Sequence, residues 1–315
     1  MTTLVCGTVT CGDVAGGQQR ARFNPKRPAA SGYRIVFDEP FADPARVDLS
    51  GEGAQTVWFR KPFFGWMPSP PGSVRVSSGV LELGGPSGAA SVSLAAPAEG
   101  GEGWRGRVFG KGFFVEASIA LGPIVKEQGW PAFWSMALEH MAARGGAQVA
   151  GKPAGYERFA ENDFFEADTG HAGPDSYGTA LHDWWGQFRR TCPGGFCDVM
   201  NNGYGTPRGN VARGPAGIDW SEFHIVAQLW SPATATRSGF VQNYLDGHAT
   251  TRTEWQRYDP AAPLPLGRGQ MFSIMDRQRL VIVLNGSLRA LKVDWLRVWQ
   301  ARGAVTEVRT TNRGQ

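Results

Sequence analysis

The sequence predicts an all-β protein built as a jelly-roll sandwich of two antiparallel sheets. Short apolar runs of strand length alternate with clusters of Gly, Pro, Asn and Asp, and no stretch keeps a long helical period. Antiparallel strands without helices between them must bury their apolar faces against a second sheet. One short helical turn is expected at 136–143.

Alternating patterns mark two of the strands. In 114–121 the apolar face holds the odd-numbered residues Val115 to Leu121, and in 223–230 it holds the odd-numbered residues Phe223 to Leu229. Both runs are therefore expected to lie in sheets with one buried face.

Three further elements follow toward the C-terminus. The segment 241–245 enters Asp246-Gly247 and leaves through 248–253, which predicts a tight hairpin because Asp and Gly tolerate positive φ. The run 280–284 is apolar. The run 291–299 is partly apolar on both faces, which predicts a strand in the interior of its sheet.

The composition is that of a globular protein long enough for one large domain. Residues 33–303 are predicted to form that domain, residues 1–32 an irregular N-terminal extension and residues 304–315 a C-terminal tail. The formal net charge is +4, and Lys and Arg form no run or aromatic-interleaved stripe, so no nucleic-acid partner is expected. No apolar stretch is long enough for a membrane span, and the first residues lack the features of a signal peptide.

The four cysteines form two close pairs, Cys6 with Cys11 and Cys192 with Cys197. Each pair could close a small loop in an oxidising compartment, and the second, which flanks Pro-Gly-Gly, is the better candidate for a disulfide. The spacing fits neither a zinc site nor a C-x-x-C redox pair.

Three carboxylates lie in one short apolar segment that ends at Glu166. On a strand, Glu161 and Asp163 point to the same face. Glu166 would point to the opposite face, unless one extra residue bulges out at Phe164 or Phe165 and returns it to the first. Burying like charges together costs stability, so this row indicates acid–base chemistry on a sugar rather than packing.

Four segments, in this order, resemble glycoside hydrolase family 16, the retaining endo-β-glycanases. They are 129–134 (Gly-Trp-Pro-Ala-Phe-Trp), the bulged Glu-x-Asp-x-x-Glu form of 161–166, 179–182 (Thr-Ala-Leu-His) and 293–299 (Val-Asp-Trp-Leu-Arg-Val-Trp). The likeness spans roughly 33–300. Asn162 departs from the family, which usually has an aliphatic residue there.

The resemblance implies a catalytic assignment. Glu161 would be the nucleophile, Glu166 the acid and base, and Asp163 a hydrogen-bond partner of the nucleophile. The substrate would lie in a cleft on the concave face of one sheet and would be a polysaccharide, most simply a β-1,3- or β-1,3/1,4-glucan. Residues expected to contact it are Trp130, Trp134, His182, Trp184 and Asn285.

The resemblance also implies a structural calcium with Asp294 as a ligand, whereas an exposed or capped Asp explains that residue equally well. No cofactor is expected for catalysis. A monomer in a secreted or periplasmic compartment is expected. Two alternatives stay open from the sequence, a non-catalytic carbohydrate-binding lectin-like module and a transglycosylase on the same scaffold.

Overall fold

A computed structural model of the chain describes residues 23–50, 56–60, 69–98, 103–124, 130–142, 152, 155–167, 176–189, 197–199, 210–213, 217–262, 267 and 269–309. In these residues the secondary structure is almost entirely strand. The strands are β1 (Tyr33–Glu39), β2 (Val74–Ser77), β3 (Val80–Leu83), β4 (Ala90–Ser93), β5 (Ala95–Pro97), β6 (Trp104–Gly110), β7 (Phe113–Leu121), β8 (Ala132–Ala137), β9 (Tyr156–Glu166), β10 (Ser176–Arg189), β11 (Cys197–Val199), β12 (Asn210–Arg213), β13 (His224–Ser231), β14 (Gly239–Leu245), β15 (His248–Trp255), β16 (Arg279–Gly286), β17 (Leu291–Ala301) and β18 (Val305–Arg309). The helices are α1 (Leu138–Ala142) and three 3₁₀ turns, Pro28–Ser31, Pro44–Arg46 and Ser273–Arg277.

The strands form two antiparallel sheets, as predicted. The first, here called the cleft sheet, has the order β11-β10-β9-β8-β16-β6-β18, with β12, β4 and β5 paired beside it. The second, here called the back sheet, has the order β15-β14-β13-β7-β17-β3-β2, with β1 on β17. Along these two orders, six of the twelve neighbouring pairs, such as β8–β16 and β13–β7, join strands that are distant in sequence, which is the crossed connectivity of a jelly roll.

The hydrophobic core fills the space between the sheets. Most of its side chains come from the inward face of each strand, and large aromatic rings meet there edge to face. Phe113 of the back sheet, for example, contacts Phe164 of the cleft sheet with ring centroids 6.1 Å apart and planes at 86°. Such edge-to-face pairs add to the burial of apolar surface and help to fix how one sheet lies on the other.

Several predicted elements are confirmed. β17 is interior, since it pairs with β1, β3 and β7. The hairpin between β14 and β15 turns at Asp246 and Gly247, with φ of 51° and 77°. Helix α1 lies inside the predicted helical turn.

The predicted orientation of 223–230 is wrong. The even-numbered residues of β13, Val226, Gln228 and Trp230, face the main core and are almost fully buried. Ala227 and Leu229 lie on the other face, in a second cluster with Phe114 and Tyr244. From Val226 to Trp230 both faces of β13 are therefore covered, so hydrophobic alternation was a poor guide to which face points inward.

The predicted limits of the domain are also too narrow. Phe23, from the supposed extension, packs on Tyr33 and Phe114 with centroids 5.1 and 5.0 Å away. At the other end, β18 is not a tail, because it pairs with β6 from Val305↔Gly110 to Arg309↔Gly106.

The proposed disulfides lie outside the described residues, since neither pair has both of its side chains among them. No helix in the described residues has the length and apolar character needed to cross a bilayer.

Candidate active site

The segment that carries the three carboxylates is bulged at the predicted place. Against β8, Phe165 pairs with Phe133 and Asp163 with Trp134, so Phe164 is an extra residue on β9. The register against β10 shifts in the same interval, between Gly178 and Ala180. The bulge therefore places Glu161, Asp163 and Glu166 on one face of the cleft sheet.

That face points away from the back sheet. Asn162, between the first two acids, is completely buried and hydrogen-bonds with Gln228 of the back sheet. Because neighbouring side chains on a strand point to opposite faces, Glu161 and Asp163 point outward. Phe164 and Phe165 are both fully buried and occupy the inward side of the bulge.

Each outer carboxylate of the trio accepts a hydrogen bond from a tryptophan. The Trp184 indole Nε1 donates to Glu161 Oε2 at 2.9 Å. The Trp130 indole Nε1 donates to Glu166 Oε1 at 2.5 Å. An indole N–H stabilises a nearby negative charge and fixes the carboxylate that carries it.

His182 completes the group. It pairs with Glu161 across β9 and β10, and its Nε2 lies 3.1 Å from Asp163 Oδ2. His182 therefore lies beside the acids. In the described residues, Glu161, Asp163 and His182 are also the one set of three whose potential metal ligand atoms all lie within 4.8 Å of one another.

Burial disturbs the ionisation of all three acids, and repulsion between carboxylates adds to it for Glu161 and Asp163. Burial, followed by the charge of Asp163, raises the pKa of Glu161 to about 8, although His182 and the Trp184 N–H oppose the rise. Burial and the charge of Glu166 hold the pKa of Asp163 well above its ordinary value. Burial also raises the pKa of Glu166, against the Trp130 N–H and His182. At neutral pH the trio therefore retains protons, as required of a site that donates one.

Asn285 holds two of the predicted aromatic residues. Its Oδ1 accepts from the Trp134 indole Nε1 at 2.6 Å, and its Nδ2 donates to the Trp130 carbonyl at 2.5 Å. Only 8% of Asn285 is exposed, whereas Trp130 is 51% exposed. The structure therefore places Asn285 as a support for the tryptophans, and Trp130 as a ring open to solvent beside Glu166.

Trp184 is less open than predicted. The His182 ring lies nearly parallel to it at 5.3 Å and 13°, and the Phe159 ring at 6.5 Å and 24°. Trp134 is partly buried and packs against the core. Part of the flat surface of Trp184 is already covered by protein, which leaves its N–H contact with Glu161 as its clearest contribution to the site.

Sequence reasoning missed a buried hydrogen bond between a histidine and a glutamate next to the site. His140 Nδ1 of α1 lies 2.7 Å from Glu157 Oε2 of β9, with side-chain exposures of 4% and 1%. The His140 ring also stacks on Phe159 at 3.7 Å and 12°. Glu157 and Phe159 lie on the same face of β9 as Glu161, and that spacing of two was a signal that could have identified them.

Asp294 lies far from this group in the fold, at a bulge of β17 between Val293 and Trp295. Among the described residues it belongs to no set of three His, Cys, Asp or Glu with ligand atoms close together. A calcium ion at Asp294 would therefore take its other oxygens mainly from the backbone.

The sequence matches no family model and no curated protein sequence. Among solved structures, the kappa-carrageenase from Pseudoalteromonas carrageenovora, in complex with an oligotetrasaccharide of kappa-carrageenan, matches 87% of this chain and 96% of its own, with a TM-score of 0.51 and 12% identity. The chain has the fold of this enzyme.

Two further matches are more distant. LamAcat from Zobellia galactanivorans covers 86% of this chain and 99% of its own, with a TM-score of 0.47 and 15% identity. The carbohydrate recognition domain of Emp47p covers 86% and 98%, with a TM-score of 0.40 and 11% identity. These scores are too low to establish a common fold, so only the kappa-carrageenase fold bears on the architecture, and identity this low shows the fold alone.

Proposed function

We propose that the protein is a retaining endo-β-glycoside hydrolase of glycoside hydrolase family 16. The observation that carries the proposal is the bulge of β9, which brings Glu161, Asp163 and Glu166 to one outward face. The tryptophan N–H groups that support the two outer acids add to it. The kappa-carrageenase fold, an architecture that hosts polysaccharide cleavage in that enzyme, is consistent with it.

The reaction proceeds by double displacement. The Glu161 carboxylate attacks the anomeric carbon while Glu166 donates its proton to the leaving oxygen, and the glycosidic C–O bond breaks. A water molecule then attacks the covalent glycosyl-enzyme, and the Glu166 carboxylate takes a proton from it. The Glu161 ester bond breaks, and both acids return to their starting states.

This division of roles requires Glu161 to ionise while Glu166 stays protonated. The charge of Asp163 is one of the causes that raise the pKa of Glu161. When Asp163 holds a proton, this repulsion is removed, and Glu161 can ionise with the Trp184 N–H donating to it. Glu166, whose pKa is also raised, keeps the proton that the leaving group needs.

We propose a β-1,3- or β-1,3/1,4-linked glucan as substrate. The exposed ring of Trp130 beside Glu166 supports a sugar-stacking surface on one side of the cleavage point. A panel of β-glucans, agarose and carrageenans, assayed for reducing ends, tests the substrate, and NMR of the first product tests retention of the anomeric configuration.

Glu161→Gln and Glu166→Gln test the catalytic assignment. Each is expected to abolish hydrolysis without unfolding the protein, and Glu161→Ala is expected to form a glycosyl azide when azide is added. Glu222→Gln, which changes an exposed acid, is the matched control and is expected to keep full activity. Full activity of either glutamine variant at the site would refute the assignment.

A non-catalytic lectin-like module is the second candidate, because the exposed ring of Trp130 could bind a sugar face without any cleavage. It predicts glycan binding by the wild type without cleavage of any polysaccharide. A transglycosylase shares the first chemical step, and product sizes measured with and without an acceptor oligosaccharide separate it from a hydrolase.

We further propose a secreted or periplasmic monomer with a disulfide between Cys192 and Cys197 and a structural calcium at Asp294. Thiol titration, with and without reductant, tests the disulfide, and light scattering tests the oligomeric state. Metal analysis of the purified protein tests the calcium.

A further inference from the structure

A network of hydrogen-bonded polar side chains, here called the polar network, crosses the core directly behind the three acids. It begins at Asn162, which is fully buried and lies between Glu161 and Asp163 on β9. Asn162 Nδ2 donates to Gln228 Oε1 at 2.7 Å, and Gln228 Nε2 donates back to Asn162 Oδ1 at 2.9 Å. The two amides thus form a reciprocal pair between the cleft sheet and the back sheet.

The polar network continues through the back sheet and returns to the cleft sheet. Gln228 Nε2 also donates to Asn243 Oδ1 at 2.9 Å, and Asn243 Nδ2 donates to Thr251 Oγ1 at 2.8 Å. Thr251 Oγ1 lies 2.9 Å from Thr179 Oγ1 on β10. Because β10 pairs with β9, the hydrogen bonds close a ring through β9, β13, β14, β15 and β10.

Both ends of the polar network, Asn162 and Thr179, lie at the bulge. Asn162 is two residues before Phe164, the extra residue of β9. Thr179 lies between Gly178 and Ala180, where β10 loses register with the bulged segment. The polar network therefore holds β9 by a side chain just before the bulge, and β10 by a side chain directly opposite the bulge.

This placement matters because the register of β9 decides where the acids point. A slip of one residue would turn Asn162 outward and carry Glu161 and Asp163 into the core. In such a slipped strand, Gln228 would lose both of its bonds to Asn162 and would remain buried without them. An apolar residue at position 162 would make no directional contact with position 228, whereas the reciprocal amide pair forms in only one register.

We propose that Asn162 and Gln228, with Asn243, are positioning residues that lock the register of β9 and so hold the catalytic acids on the cleft face. The kinetic part of this proposal rests on the proposed hydrolase function. The structural part, the choice of register, does not. Buried polar groups elsewhere are known to specify register in this way, at no gain in stability.

The test replaces the amides by apolar residues of similar shape. The triple variant Asn162→Leu, Gln228→Met and Asn243→Leu removes all three side-chain amides of the polar network. Thr179 and Thr251 keep each other as partners. Replacing both partners of a hydrogen bond together leaves no buried group unsatisfied, so this variant is expected to fold. Where it does not fold, the triple variant Asn162→Val, Gln228→Leu and Asn243→Val, which also removes all three amides together, is measured instead.

A loosened register predicts two effects. The kcat is expected to fall about tenfold or more, with KM changed by less than about threefold, because the acids are misplaced while the sugar-stacking surface remains. Hydrogen exchange is expected to speed up at the backbone amides of β9 around Phe164, with β7 and β17 unaffected. Exchange is measured on the free protein and does not depend on activity.

Two matched variants separate positioning from general stability. The exchange of side chains, Asn162→Gln with Gln228→Asn, keeps both amides and the total length, and is expected to restore kcat and exchange toward wild type. Gln300→Met removes a buried amide that bonds to Gly110, Gly112 and Val305, away from β9. It is expected to lower thermal stability and leave kcat unchanged.

An apolar variant with unchanged kcat and unchanged exchange at β9 would overturn the proposal. So would an equal loss of kcat in the Gln300→Met control. If the wild-type protein cleaves no polysaccharide, the hydrolase assignment fails, and the exchange measurement alone decides whether the amides lock the register.

Discussion

Replacing Glu161 by Gln is expected to stabilise the protein at neutral and alkaline pH. Burial and the charge of Asp163 raise the pKa of Glu161 to about 8, from an ordinary value of 4.5. Between these two values the native state binds more protons than the unfolded state, so the free energy of unfolding falls as pH rises. The stability that the protonated Glu161 side chain allows is thus fully present below pH 4.5. It is lost as the pH rises through about 8, because the buried carboxylate then becomes charged.

The size of this effect follows from the difference between the two pKa values. A pKa difference of about 3.5, at about 1.36 kcal/mol per pKa unit, lowers the free energy of unfolding by at most about 5 kcal/mol at alkaline pH. At pH 7 the same reasoning gives about 3 kcal/mol. Glu161 keeps part of its surface in contact with solvent, which screens the repulsion and reduces the expected gain to about 1–3 kcal/mol at pH 7. The Gln side chain can still accept the Trp184 hydrogen bond.

The assay is urea unfolding of wild type and Glu161→Gln at several pH values from 4 to 9, followed by tryptophan fluorescence. The two curves of stability against pH should nearly meet below pH 4.5 and separate as pH rises. Glu222→Gln, at an exposed position, should follow the wild type throughout. A glutamine variant that gains nothing at pH 8, or gains more at pH 4 than at pH 8, would refute the electrostatic account of the acid trio.

Four other predictions concern the same groups and the calcium. The kcat/KM should rise with pH as Glu161 loses its proton, at a pH well above 4.5, and fall again as Glu166 loses its own; an optimum near pH 5 would contradict this. Trp184→Phe removes the N–H that lowers the pKa of Glu161, so the acidic limb of the pH profile should move to higher pH, with activity reduced about tenfold. Trp130→Phe removes the N–H from Glu166, so the alkaline limb should move to higher pH instead, and movement of the acidic limb alone would be the wrong result. A calcium chelator should lower the melting temperature of the wild type but not that of Asp294→Asn, and equal loss in both would argue against calcium at Asp294.

The sequence predicted local features well, because each depends on nearby residues. The bulge of β9 was predicted from the spacing of three acids, which share one face only if one extra residue is inserted at Phe164 or Phe165. The hairpin at Asp246-Gly247 followed from two residues that accept positive φ. The position of His182 beside the acids came from the family resemblance and agrees with the pairing of β10 with β9.

The features that the sequence did not reveal depend on distant contacts. β18 lies at the edge of its sheet with an exposed Val308, so its strand pattern is weak, and only its pairing with β6 identifies it. The alternation in 223–230 puts Gln228 on the face opposite the predicted apolar one. Its burial becomes favourable only when Asn162 and Asn243 arrive from other strands to satisfy its amide.

The bulge itself is stabilised by aromatic burial rather than by the acids. Phe164 packs on Phe133 with centroids 4.7 Å apart, and Phe165 packs on Trp220 at 5.1 Å. In a regular strand one of these two rings would turn outward beside Asp163, and its apolar surface would be exposed to water. Burying both rings requires the extra residue, and the extra residue returns Glu166 to the face of Glu161. The repulsion among the acids opposes this arrangement, so the core, and not the site, must supply the free energy that maintains it.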